Sequence, residues 1–197
     1  MALFRRLLIA MLSVVAALAL SCQREEPLER LWPAPEFALV DQQGRPFGSV
    51  DLAGRATAMN FIYTNCTDTC PLLTATMAQV QDRLLKEGLL GSKVQLVSVT
   101  VDPRRDSPPV LAAYAARFRA DPDAWRFLTG EPEQIYAALA GFKLNTVEVA
   151  RASEGADVVP HSNRFLVLDA DRQVRAALPG EDITPDEIVR TVRKVLP

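Results

Sequence analysis

Soft metal ligands are scarce in this chain: 197 residues include one histidine, three cysteines and four methionines. A multi-histidine cage is therefore excluded, and no methionine-rich stripe replaces it. Lysine and arginine never gather into a block or alternate with aromatics, so nucleic acid is excluded as the expected partner. Internal repeats and low-complexity tracts are absent as well. Three cysteines do not make a disulfide scaffold, and none is needed. The roughly 175 residues after position 22 can bury most of their apolar surface unaided. Hydrophobic residues at 49% and charged residues at 23% are ordinary for a globular chain and name no function.

The one long apolar run is at the start. Arg5-Arg6 precedes Leu7 to Leu20, interrupted only by Ser13, and Ser21-Cys22 follows. A positive n-region, an apolar stretch of about 14 residues and a small residue before the break form an export signal. Such a stretch is short for a membrane span, which takes about 20 residues. Ala19-Leu20-Ser21-Cys22 resembles a bacterial lipoprotein box, with Cys22 as the lipidated residue. The expected organisation is a signal and anchor over 1–22, a polar tether over 23–33 that includes Trp32, and one folded domain over 34–197. That domain would sit outside the cytoplasmic membrane, on the periplasmic face of a bacterial envelope. Lipid on Cys22 would leave Cys66 and Cys70 as an isolated pair. A disulfide across so short a loop removes little chain entropy, so chemistry is the better reason for the pair.

Hydrophobic periodicity gives the order β–β–α–β–α–α–β–β–α. Pro35 to Val40 reads as a short strand, and Ala56 to Tyr63 and Val94 to Val101 as strands buried on both faces. Leu73, Met77, Val80 and Leu84 mark a helix stopped by Gly88. Ser107-Pro108 opens a second helix and Pro132 a third. Arg164–Leu168 and Gln173–Leu178 flank a turn, and Thr184-Pro185-Asp186-Glu187 is a capping box. Strands joined by helical crossovers with a late hairpin predict a thioredoxin-like three-layer α/β/α sandwich on a mixed central sheet.

Asn65-Cys66-Thr67-Asp68-Thr69-Cys70-Pro71 falls between a buried strand and a helix, where open α/β sheets bind ligands. Helix N–H groups there would lower the thiol pKa values. Two sulfurs on one helical face could chelate a soft ion. A redox dithiol and a structural disulfide stay open as alternatives. Three intervening residues, against two in thioredoxin-type enzymes, weaken the redox-only reading. A peroxidatic site is weaker again, because Met59 and Tyr63 occupy the places of its usual Pro and Thr or Ser. His161, in Val159-Pro160-His161-Ser162-Asn163, precedes a core strand whose entering loop can lie against the cysteine loop. Thiolates with an imidazole suit copper, and zinc would usually ask for a fourth ligand. Asp102-Pro103 reads as a turn or as a group near the site. Arg104, Arg105 and Asp106 read as a solvated face, and Trp125 and Phe127 as core.

From Phe37 to Leu168 the chain resembles the Sco/SenC family of copper-binding, thioredoxin-fold assembly factors. The resemblance rests on Asn60-Phe61-Ile62-Tyr63-Thr64-Asn65-Cys66 through Cys70-Pro71, on Ser98-Val99-Thr100-Val101-Asp102-Pro103-Arg104-Arg105-Asp106, on Phe127-Leu128-Thr129-Gly130, and on His161 before a strand ending at Asp169. It implies that Cys66, Cys70 and His161 bind one Cu(I) or Cu(II). It implies further that the protein helps mature the dinuclear copper centre of cytochrome c oxidase subunit II, by metal delivery, thiol reduction or both. An upstream periplasmic copper donor or a thioredoxin-like reductant would then be a further partner. If the pair is redox-active, Cys66 and Cys70 are its working residues, in a thiol–disulfide oxidoreductase or a periplasmic redox sensor. Two positions depart from the family pattern: Pro160 replaces the acidic residue many members carry before the histidine, leaving Asp157 as the nearest acid in sequence. Thr67-Asp68-Thr69 also lacks the Pro common after the first cysteine.

Overall fold

A computed structural model describes residues 28–66, 69–144 and 163–197. Its centre is a six-stranded sheet in the order β1-β8-β7-β4-β5-β6. The strands are β1 (Trp32–Pro33), β4 (Ala56–Ile62), β5 (Val94–Thr100), β6 (Trp125–Leu128), β7 (Arg164–Leu168) and β8 (Gln173–Pro179). A separate hairpin pairs β2 (Ala38–Val40) with β3 (Pro46–Gly48). The helices are α1 (Thr69–Lys86), α2 (Pro108–Arg117), α3 (Pro132–Gly141) and α4 (Pro185–Arg193). None of the described helices is long and apolar enough to cross a membrane.

β4, β5 and β6 are parallel, whereas β7 runs antiparallel to β4 and β8 antiparallel to β7. All seven residues of β4 and all seven of β5 are buried, as central strands covered on both faces must be. Side chains alternate between two cores. Ala56, Ala58 and Ile62 of β4 face α1, α2 and α4, whereas Met59 and Phe61 face α3 and the β2–β3 hairpin. Leu73, Met77, Val80 and Leu84 are at most 3% exposed, so the stripe read from the sequence is the buried face of α1. Each contributes roughly 1.5–3 kcal/mol by leaving water. Gly88, at φ 67, closes that helix in the left-handed region. Thr184 and Glu187 form the capping box of α4. The result is the thioredoxin-like α/β/α sandwich with a mixed sheet.

Three elements differ from the sequence reading. Trp32-Pro33, assigned to the tether, pair with Val174 and Gln173 at the sheet edge. Arg175 donates to the backbone carbonyls of Leu28 and Glu29 and holds this segment down. Trp125–Leu128, read only as core, is a third parallel strand, four residues long and hidden between two helices. The β2 strand starts at Ala38 rather than Pro35, because its partner β3 ends at Gly48, opposite Ala38, and offers no pairing further back. Trp125 and Phe127 are fully buried, as expected.

Candidate metal centre

β4 ends at Ile62, and its chain emerges at the carboxyl edge of the parallel strands through Tyr63, Thr64 and Asn65 to Cys66. Thr67 and Asp68 lie outside the described residues, and α1 begins at Thr69. The two cysteines meet at the start of α1. Cys66 N–H donates to the Tyr63 carbonyl at 3.3 Å. Cys66 Sγ accepts from the backbone N–H of Cys70 at 3.4 Å. Cys66 is partly exposed, whereas Cys70 is 8% exposed and belongs to the core beneath α1. One sulfur thus faces the outside and the other the interior.

The helix start does not leave both thiols acidic. Burial pushes the Cys70 thiol up to about 12, outweighing the opposing backbone N–H of Tyr63. The expectation of a lowered value is overturned for Cys70: desolvation of an anion in the core exceeds what a helix terminus returns. Cys66 likewise adds to the rise through its hydrogen bond and charge. Tyr63 is also raised to about 12, first by burial and next by its hydrogen bond to Cys66. A cation binding Cys70 must therefore displace a proton. Behind it, Thr74 donates to the Cys70 carbonyl at 2.8 Å and meets the Tyr114 hydroxyl at 2.9 Å.

Asp102 is buried, and its carbonyl accepts from the N–H groups of Arg105 and Asp106, so it does build a turn. Its carboxylate pairs with Arg105 at 2.9 Å. Asp106 of the same turn accepts from Thr64, so the turn borders the cysteine loop. Arg104 and Arg105 are exposed as expected. Asp106 is not: it is fully buried and accepts from Thr64 and Thr100. Tyr63, hydrogen-bonded to Cys66, and Thr64 and Thr100, the partners of Asp106, were likewise missed. Three consecutive charges made Asp106 look like surface. The available signal was its place directly before the Ser107-Pro108 helix start, where a turn folds back over the strand ends.

His161 lies outside the described residues, as do Pro160 and Asp157. Among the described residues no three His, Cys, Asp or Glu side chains form a metal-holding group. The nearest described neighbour of His161 is Asn163, whose carbonyl accepts from Gly180 N–H at 2.5 Å. A Cβ on Gly180 would stand 2.8 Å from that carbonyl oxygen and 2.6 Å from Leu73, three residues beyond Cys70. The entry to β7 and the first turn of α1 are therefore packed together.

A family model described as SCO1/SenC matches residues 27–197. The chain belongs to the SCO1/SenC family. A SCO1/SenC family lipoprotein of Bacillus anthracis is 31% identical, with a TM-score of 0.71 over 87% of this chain and 98% of that one. BsSco, a member of the Sco family of cytochrome c oxidase assembly proteins in which a disulfide switch has been identified, is 31% identical, with a TM-score of 0.70. The match covers 88% of this chain and 97% of that one. Yeast Sco1, solved with copper bound, is 27% identical with a TM-score of 0.65, covering 84% and 95%. The three structures share this chain's overall fold over 84–88% of its length.

Proposed function

We propose that this SCO1/SenC protein is an extracytoplasmic copper chaperone that holds one copper ion through Cys66, Cys70 and His161. It passes that ion, as cargo, to the apo form of cytochrome c oxidase subunit II during assembly of the dinuclear copper centre. The observation that carries the reading is the meeting of two thiols at the start of α1, one half-buried and one buried. Thiolates are the donors that soft copper ions prefer. Copper-bound yeast Sco1 and the oxidase-assembly role of BsSco support the same reading.

Chain connectivity favours His161 as the third donor. The β4–β7 ladder pairs Asn60 with Phe165 and Met59 with Leu166. Asn163, at the entry to β7, packs through Gly180 beside Leu73 of α1, and His161 precedes it by two residues, a chain length of at most about 7 Å. In the unloaded state Cys70 keeps its proton, and Cys66, the more accessible thiol, is the one that meets incoming metal or an incoming disulfide.

The protein is anchored by lipid at Cys22 on the outer face of a bacterial cytoplasmic membrane, a reading supported by the signal pattern and by the Bacillus anthracis lipoprotein. An envelope copper donor or a thioredoxin-like reductant reloads it. A second reading, thiol–disulfide oxidoreductase toward the acceptor's cysteines, is favoured by the disulfide switch of BsSco. One equivalent of Cu(II) added to reduced protein separates them. The copper reading expects a thiolate-to-copper band that vanishes in Cys66→Ser and Cys70→Ser and shifts or disappears in His161→Ala. An unchanged band in His161→Ala removes the third ligand. No copper binding together with rapid insulin-disulfide reduction favours the oxidoreductase.

A further inference from the structure

Asp106 is 0% exposed, yet its hydrogen-bond donors are neutral groups: the Thr64 N–H at 3.1 Å, the Thr64 hydroxyl at 2.6 Å and the Thr100 hydroxyl at 2.6 Å. Burying a carboxylate among neutral donors is unfavourable, and removing those donors would be more so. The placement explains why such a group would be kept. Thr100 is the last residue of β5, and Thr64 is the second residue beyond β4. These parallel neighbours stay paired to Ile62 and Thr100, and just beyond that last pair Asp106 ties the two exits together. Cys66 follows Thr64 by two residues, and its own N–H closes back on Tyr63. The chain at Cys66 is therefore fastened two residues before it, at Thr64, while its sulfur accepts from the N–H of Cys70, four residues after it.

We propose that Asp106 is a positioning residue for the cysteine pair: through Thr64 it holds the Cys66 loop in the open dithiol arrangement. It acts by restraining where Cys66 stands relative to the start of α1. The proposal rests on Cys66 and Cys70 being the working pair, but it does not depend on copper.

The test is the equilibrium of the pair against glutathione, followed by thiol alkylation and mass measurement on folded protein. Each protein disulfide consumes two glutathione molecules and yields one glutathione disulfide, the two electrons and two protons passing to Cys66 and Cys70. Loss of the restraint in Asp106→Ala is expected to shift the equilibrium toward the disulfide at least tenfold, about 30 mV for a two-electron couple. Thr64→Val, which keeps the backbone N–H but loses one hydroxyl donor, shifts it less and in the same direction. It carries the test if Asp106→Ala does not fold. Asp106→Asn, whose amide oxygen still accepts from Thr64, recovers most of the wild-type value. Val192→Ala, buried in α4, lowers melting temperature without moving the equilibrium. An unmoved equilibrium in the folded Asp106 and Thr64 variants, or an equal shift in Val192→Ala, overturns the proposal. A shift in Asp106→Ala alongside no Cu(II) band in wild type supports it while sinking the copper reading.

Discussion

Raising the pH of the reduced, copper-free protein from 8 to 11 should destabilise it, and Cys70 should account for a defined part of the loss. The Cys70 thiol is pushed up to about 12 in the fold, whereas in the unfolded chain it ionises near 9. Above pH 9 the unfolded state sheds a proton that the folded state retains, so stability falls with rising pH. The contribution is fully present below pH 9 and is spent by about pH 12. At about 1.4 kcal/mol per pH unit, two units remove roughly 2–3 kcal/mol by pH 11. For a domain of this size that is a drop of roughly 5–10 °C in melting temperature. Tyr63 and Tyr114, both raised to about 12 by burial, steepen the decline from pH 10 upward. Circular-dichroism melts at half-unit pH steps, under reductant, give the slope. Cys70→Ala should start lower at pH 8 because a buried side chain is lost, then decline less between pH 9 and 11. Identical slopes in wild type and Cys70→Ala would refute the claim that core burial holds this proton. The same proton must leave when a cation binds, so copper affinity should rise with pH over this range.

Gly180→Ala should perturb the histidine side of the site more than the thiol side, because the new Cβ would press on the Asn163 carbonyl at 2.8 Å. The check is a Cu(II) spectrum that moves toward that of His161→Ala, with reactivity of Cys66 unchanged; a wild-type spectrum would count against the packing argument. Thr184→Ala removes the hydroxyl that accepts from Glu187 N–H and should lower stability by about 1 kcal/mol. Chemical denaturation measures that loss, and copper binding should be unaffected, since α4 starts away from the cysteine loop.

The features legible in the sequence were those with a strong local period or local chemistry. Val94–Thr100 and Ala56–Ile62 are continuous apolar runs because both their faces are covered, and the Leu73–Leu84 stripe has one buried side. Thr184-Pro185-Asp186-Glu187 satisfies its own donors and needs no distant partner. Four-residue β6 has no length over which a period can show, and its aromatics declare burial without declaring strand. β1 exists only because β8 offers an edge 140 residues later, so nothing local announces it. At the site, the cysteine spacing announced the pair. Whether the helix terminus or the core would govern Cys70 depended on how deeply it sits, which spacing does not contain. Asp106 was misread for the same reason: its donors come from two strand ends far apart in sequence.

The edge strand β1 also sets a leash. Trp32 sits opposite Val174, near the amino end of β4, and the chain leading back to Leu28 travels along β8 toward the end of the sheet that carries Cys66. With lipid at Cys22, as proposed, six residue steps separate the membrane attachment from Leu28, a reach of at most about 20 Å. A domain tied so shortly, and from that end, keeps its thiols within a thin layer above the bilayer. Under the proposed function it would meet an acceptor embedded in the same membrane by sliding in two dimensions rather than by tumbling in three.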